Sequence, residues 1–97
     1  LKPNDAESYF NLGNTLLDFG RLEEAEENFR HAILLKSDFT EAHYNLSWTL
    51  LKSGKIKEGL EILSKVIKLD FSFKAKAKFD VDFDEIQNLN EFKKLIL

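Results

Sequence analysis

Two histidines, His31 and His43, are the chain's best candidates for acid–base or metal chemistry. A reading of the pattern around them puts them on different helices. There is no cysteine, so disulfides and thiolate metal sites are excluded. No His-Glu-x-x-His pair and no glycine-rich phosphate loop occurs. The carboxylates are spread along the chain, whereas catalysis needs titratable groups that converge. The expectation is a chain that is not an enzyme, with no metal and no cofactor, its histidines serving on the surface or in packing. A second candidate is the run Lys52, Lys55, Lys57, Lys65, Lys68, Lys74, Lys76 and Lys78. Residues 52–78 hold eight lysines against three acids, while residues 1–36 hold seven acids against four bases. Lysines without arginine and interleaved exposed aromatics are weak readers of phosphate. The net charge of −3 also weighs against a generic nucleic-acid binder. A solvated helix face ranks first for this block, an acidic protein partner second and nucleic acid last.

What must position any such residues is small. Ninety-seven residues make one domain with a modest core. One proline and four glycines argue against disorder and against a turn-rich all-β fold. No apolar run approaches the roughly 18 residues of a membrane-spanning helix. The organising signal is an internal repeat. Sliding residues 6–39 onto 40–73 gives twelve identities in 34 positions, among them Asn11/Asn45, Leu12/Leu46, Thr15/Thr49, Leu16/Leu50, Gly20/Gly54 and Phe39/Phe73. Each unit reads as two helices. Tyr9, Leu12, Leu16 and Phe19 recur at helical spacing, and Gly20 ends the helix. A second helix opens on Glu23, Glu24, Glu26 and Glu27, acids near the positive end of its dipole. It continues through Ala25, Phe29, Ala32, Ile33 and Leu35. Unit two repeats the scheme with Leu46, Leu50, Gly54, Ile56, Leu60, Leu63, Ile67 and Leu69.

These positions resemble the tetratricopeptide repeat. Unit one carries that family's pattern as Tyr9, Leu12-Gly13, Gly20, Ala25, Phe29 and Ala32. Unit two carries it as His43, Leu46-Ser47, Gly54, Gly59, Leu63 and Val66. The family's proline after the second helix is Ser37 in one unit and Phe71 in the other, and His43 replaces a large aromatic. The resemblance implies an all-α fold of antiparallel helix-turn-helix repeats stacked as a short superhelix, an α-solenoid. Small residues at Gly13, Ser47, Ala25 and Gly59 mark points where paired helices approach closely. Leu1-Lys2-Pro3-Asn4 looks like the end of a preceding repeat, which makes a longer array the expectation, with a simple N-terminal cap over residues 1–5 as the alternative.

The resemblance also implies a site. The first helix of each repeat in this family lines a concave groove. Its groove positions fall here on Glu7, Phe10, Asn14, Leu17 and Asp18, and on Glu41, Tyr44, Trp48, Leu51 and Lys52. Asn45 joins them at a consensus asparagine position. Phe10, Tyr44 and Trp48 are residue types that dominate binding energy when buried in an interface, and on a lone chain they would form an exposed apolar patch. The expectation is a module that binds a protein or peptide segment in the groove. The alternative is self-association of the chain through the same aromatics. A variant of the family clamps a C-terminal carboxylate with two asparagines and basic residues. Asn14 and Asn45 match, but Phe10, Ala75 and Phe79 stand where its basic residues belong, which disfavours that specificity.

A third shift by 34 residues fails, since Asn45-Leu46 maps onto Phe79-Asp80. Residues 74–97 are therefore read as a non-repeat helical cap over unit two, with a tail lying in the groove as the lesser reading. Lys74 to Lys78 suit a short helix. Phe83, Ile86, Leu89, Phe92, Leu95 and Ile96 form one apolar face that has to be buried, and Asn90 suits the start of a last helix.

Overall fold

The structure, a computed structural model, describes residues 5–80 and 89–96. They form six helices: α1 (Ala6–Asp18), α2 (Leu22–Leu35), α3 (Thr40–Lys52), α4 (Ile56–Leu69), α5 (Ser72–Phe79) and α6 (Asn90–Ile96). No strand occurs among the described residues, and the fold is all-α. No described helix is long and apolar enough to cross a membrane. Leu1 to Asn4, Phe83 and Ile86 lie outside the described residues.

Local chemistry sets the helix ends, and the closure at the end of each first helix recurs with the repeat. Asp5 caps α1, accepting from the Glu7 amide at 3.1 Å and from the Ser8 hydroxyl at 2.8 Å. Gly20 and Gly54 adopt φ of +74° and +88°, the left-handed conformation that glycine enters without a Cβ penalty. Around each, the next two amides turn back on the helix. Gly20 and Arg21 donate to the Leu17 and Leu16 carbonyls, and Gly54 and Lys55 donate to those of Leu51 and Leu50. This is a Schellman closure made twice. It folds α2 back on α1 and α4 back on α3.

Within each hairpin, missing side-chain volume sets the spacing. A Cβ on Gly13 would lie 2.6 Å from Phe29 Cε1, and one on Gly59 would lie 2.7 Å from Leu51 Cγ. Ala25 and Ser47 are fully buried at the same seams, and the Ser47 hydroxyl is satisfied by the Tyr44 carbonyl at 2.6 Å. Phe29 and Leu63, both at 0% exposure, fill the space beside them.

The buried line of α1 differs from the sequence expectation. Phe10, Gly13 and Leu16 are buried, whereas Leu12 is 37% exposed and Phe19 is 75% exposed. For Leu12 the cause is the stacking order. Its equivalent in α3, Leu46, faces unit one and is 2% exposed, and Thr49, which matches Thr15, is 0% exposed. Ser53, the equivalent of Phe19, is exposed as well. Nothing among the described residues stacks on that side of α1, and Leu12 and Thr15 face solvent.

Two fastenings join the units. The first is aromatic. Phe39, at the entry to α3, packs its ring 4.8 Å from Phe10, and 34 residues later Phe73 packs 5.1 Å from Tyr44. The backbone repeats with them: the Phe39 and Phe73 amides each donate to the carbonyl three residues back, at 3.1 Å. Each ring pair anchors one of two core clusters, and Ile62 packs against both. The second fastening is ionic and lies between α2 and α4. Glu26 accepts from Arg30 at 3.0 Å and from Lys55 at 2.9 Å, and Arg30 reaches on to Glu58 at 2.7 Å.

The C-terminal helices depart from the repeat. α5 follows α4 as α3 follows α2. α6 starts at Asn90, 34 positions after Ile56, but its buried residues are Phe92 and Ile96. Phe92 stands in register with Glu24 and Glu58, both exposed. α6 is thus rotated from a repeat's second helix, and Phe92 and Ile96 join Leu63, Val66 and Phe73 in one cluster.

Replacing a buried ring at the joint leaves a cavity that the stack cannot collapse. Phe39→Ala should cost about 3 to 5 kcal/mol in urea denaturation, against less than about 0.5 kcal/mol for Phe71→Ala, since Phe71 is 72% exposed. The ionic fastening gives a pH signature. Partial burial pushes the Glu26 carboxyl up, but hydrogen bonds from Lys55 and Arg30, with their charges, outweigh it and hold it below its ordinary 4.5. Its contribution to stability is therefore complete above about pH 4.5 and is lost as pH falls through the lower, folded value. Glu26→Gln should cost about 1 kcal/mol or less at pH 7. It should also shrink the loss of melting temperature between pH 5 and pH 3.

Candidate functional site

The first helices α1, α3 and α5 share one face, and on it lies a cavity of about 190 Å³. Six of the residues expected in the groove line it: Asn14, Leu17 and Asp18 from α1, and Tyr44, Asn45 and Trp48 from α3. Lys76 of α5 and Asp80 just after it complete the wall. Asn14, Leu17, Asn45 and Trp48 are half-buried, and Asp18 is exposed at the rim. The two asparagines meet across the α1–α3 seam, with Asn45 Nδ2 donating to Asn14 Oδ1 at 2.8 Å. That bond uses one donor and one acceptor of the pair. Asn14 Nδ2 and Asn45 Oδ1 make no hydrogen bond among the described residues.

The expectation of an exposed aromatic stripe is corrected. Phe10 is 9% exposed, held between Phe29 and Phe39 at ring distances of 5.9 and 4.8 Å. Tyr44 is 3% exposed, packed on Phe73, and Leu51 is 3% exposed against Gly59. Phe10 and Tyr44 hold the stack together, because the entry segment of the next helix covers them, while Leu51 packs within its own hairpin. Of the three aromatics, Trp48 alone stays half-buried beside the cavity. Lys52, Glu7 and Glu41 are exposed and do not line it.

Lys76, read from sequence only as part of the lysine block, and Asp80 were not assigned to the groove, yet a signal existed. They stand 34 residues after Ala42 and Leu46, which are buried at 0% and 2%. The same step changes Phe10 into Tyr44. The three changes compensate one another: the Tyr44 hydroxyl donates to Asp80 Oδ2 at 2.7 Å, and Lys76 Nζ lies 5.2 Å above the Tyr44 ring. The Leu46/Asp80 mismatch, which looked like the end of the pattern, is one half of a polar replacement for an apolar contact.

The lysine block disperses in space. Lys55 pairs with Glu26, and Lys74 and Lys78 rest over Phe71 and Phe79 at 5.3 and 5.7 Å. The histidines are apart as well. His31 stacks on Tyr9 at 3.9 Å with an 8° interplanar angle, and His43 Nε2 lies 3.0 Å from the Ser37 carbonyl oxygen. No cluster of three metal-capable side chains occurs among the described residues.

Stacked helical hairpins with a polar-rimmed cavity on the first-helix face define a helical-repeat scaffold. The family model of the tetratricopeptide repeat matches residues 6–39 and again residues 40–73, and the chain belongs to that family. Repeats of this family generally mediate protein–protein interaction and are typically non-catalytic. No curated protein matches the chain. Among solved structures, the crystal structure of MamA is similar, with a TM-score of 0.78 at 21% identity over 99% of this chain. The match covers 57% of the MamA chain, and at that identity it speaks to the fold alone.

The Tyr44 hydroxyl fastens the end of α5 beside the cavity. Tyr44→Phe should cost about 0.5 to 1.5 kcal/mol. Hydrogen exchange should locate the change, with amides of α5 losing protection while those of α1 and α2 keep theirs.

Proposed function

We propose that the chain is an interaction module that holds a peptide segment of a partner protein on the α1–α3–α5 face, the concave face in the family's arrangement. One observation carries this reading: six side chains from two repeats surround a single cavity. Five of them, with Lys76 of α5, have parts suited to a peptide. The remaining amide groups of Asn14 and Asn45 match the donor and acceptor of a peptide bond. Leu17 and Trp48 offer apolar contact, and Asp18 and Lys76 place opposite charges at the rim. The self-association reading drew on Phe10, Tyr44 and Trp48, and the first two of these are buried within the chain. We read residues 74–97 as the cap that closes the array, a reading supported by Phe92 and Ile96 joining the unit-two core. α5 then serves twice, covering Tyr44 and supplying a cavity wall.

The test is a selection of peptides from a random display library on the whole chain, followed by calorimetric titration of the best binder. Asp18→Lys and Trp48→Ala should each weaken binding about tenfold or more. Asp18→Lys should leave the melting temperature unchanged because Asp18 is exposed. Selected peptides that bind both variants as well as the parent chain would place the site elsewhere.

A further inference from the structure

A larger groove opens on another side of the molecule, between α2 and α4 over the start of α3, with a volume of about 680 Å³. Leu46 and Val66 floor it at 2% and 1% exposure, and Ile33 and Ile62 are half-buried along it. Leu34 and Leu69 stand at its lips, 83% and 74% exposed. A lone exposed leucine is ordinary, but two flanking a formed apolar groove make a contiguous apolar surface. Arg30, His43 and Lys65 line the groove and no carboxylate does. Arg30 is held by Glu26 and Glu58, and His43 by the Ser37 carbonyl. Lys65 is exposed and makes no ion pair or hydrogen bond among the described residues, even with Glu61 one turn before it; Lys68, one turn on, is in the same condition.

The walls also decide the partner's conformation. They are helices whose backbone groups are already bonded along their own ladders, so they offer no strand edge to an extended peptide. A segment burying apolar side chains here has to satisfy its own backbone, as a helix does. α2 and α4 have 14 residues each, about 21 Å of wall, enough for three to four turns.

We infer that the α2–α4 groove docks an acidic amphipathic helix of a partner protein, with apolar side chains between Leu34 and Leu69 and a carboxylate at Lys65. The docking surface shares no lining residue with the α1–α3–α5 cavity, and the two sites stand or fall separately.

The test is an NMR titration of the isotope-labelled 97-residue chain. The probe is an amphipathic peptide of roughly 14 residues, leucines at i, i+3, i+7 and i+10, glutamates on its flanks. A second peptide carries lysines in place of the glutamates. The acidic peptide should shift the amides of Leu34, Ile62, Lys65 and Leu69 and bind more tightly than the basic one. Lys65→Glu should weaken the acidic peptide about tenfold and strengthen the basic peptide, a charge swap that a merely sticky surface does not show. Leu34→Asp should abolish binding, and both exposed-site variants should keep the parent melting temperature. Equal affinity for the two peptides, or shifts confined to the Asn14–Trp48 face, would overturn the inference. So would concentration-dependent shifts at the groove without peptide, which would mean that a second copy of the chain fills it.

Discussion

Everything in this chain hangs on one contact made twice: an aromatic ring in the first helix of a unit meeting the ring that enters the next. Hairpins of about 30 residues cannot bury their own apolar faces, and a neighbour has to complete the core. Phe39 completes unit one and Phe73 completes unit two, at nearly the same ring distance. The glycine turns and the small residues at the seams serve this contact. They set the length and separation of each hairpin so that the entry ring arrives over its partner.

That constraint also explains which parts of the molecule were legible from sequence. Gly20/Gly54 and Phe39/Phe73 recur with one period, and the period names helix ends, hairpins and stacking before any coordinate is known. The lining of the candidate cavity was legible in part. Asn14, Leu17, Asp18, Asn45 and Trp48 gather as the family pattern implies. Phe10 and Tyr44 do not stay open, because a pattern assigned helix by helix does not show what the next unit lays over it. The misassigned α1 face has the same origin. Tyr9, Leu12, Leu16 and Phe19 are spaced for burial, yet burial at Leu12 depends on a neighbour that α3 has and the described α1 lacks.

The end of the repeat is instructive in chemical terms. A helix that continues an apolar stack would place Ala and Leu where α5 places Lys76 and Asp80. Those polar groups are tolerable at the seam because Tyr44 brings a hydroxyl where Phe10 has none. A buried hydroxyl without an acceptor would be costly, so tyrosine and aspartate belong together although they are 36 residues apart. Two substitutions that look like decay of the pattern in a linear comparison form one bond in space.

The two fastenings lie on different sides of the stack. The ring pairs and the Asn14–Asn45 and Tyr44–Asp80 bonds tie the first helices, while Glu26, Arg30, Lys55 and Glu58 tie the second. A plate stitched along both surfaces bends only if one seam shortens as the other lengthens. The first-helix side is held by ring contacts and hydrogen bonds, and the second-helix side by ion pairs that salt screens. Raising the ionic strength therefore loosens the second-helix side of the stack and spares the ring contacts of the first-helix side.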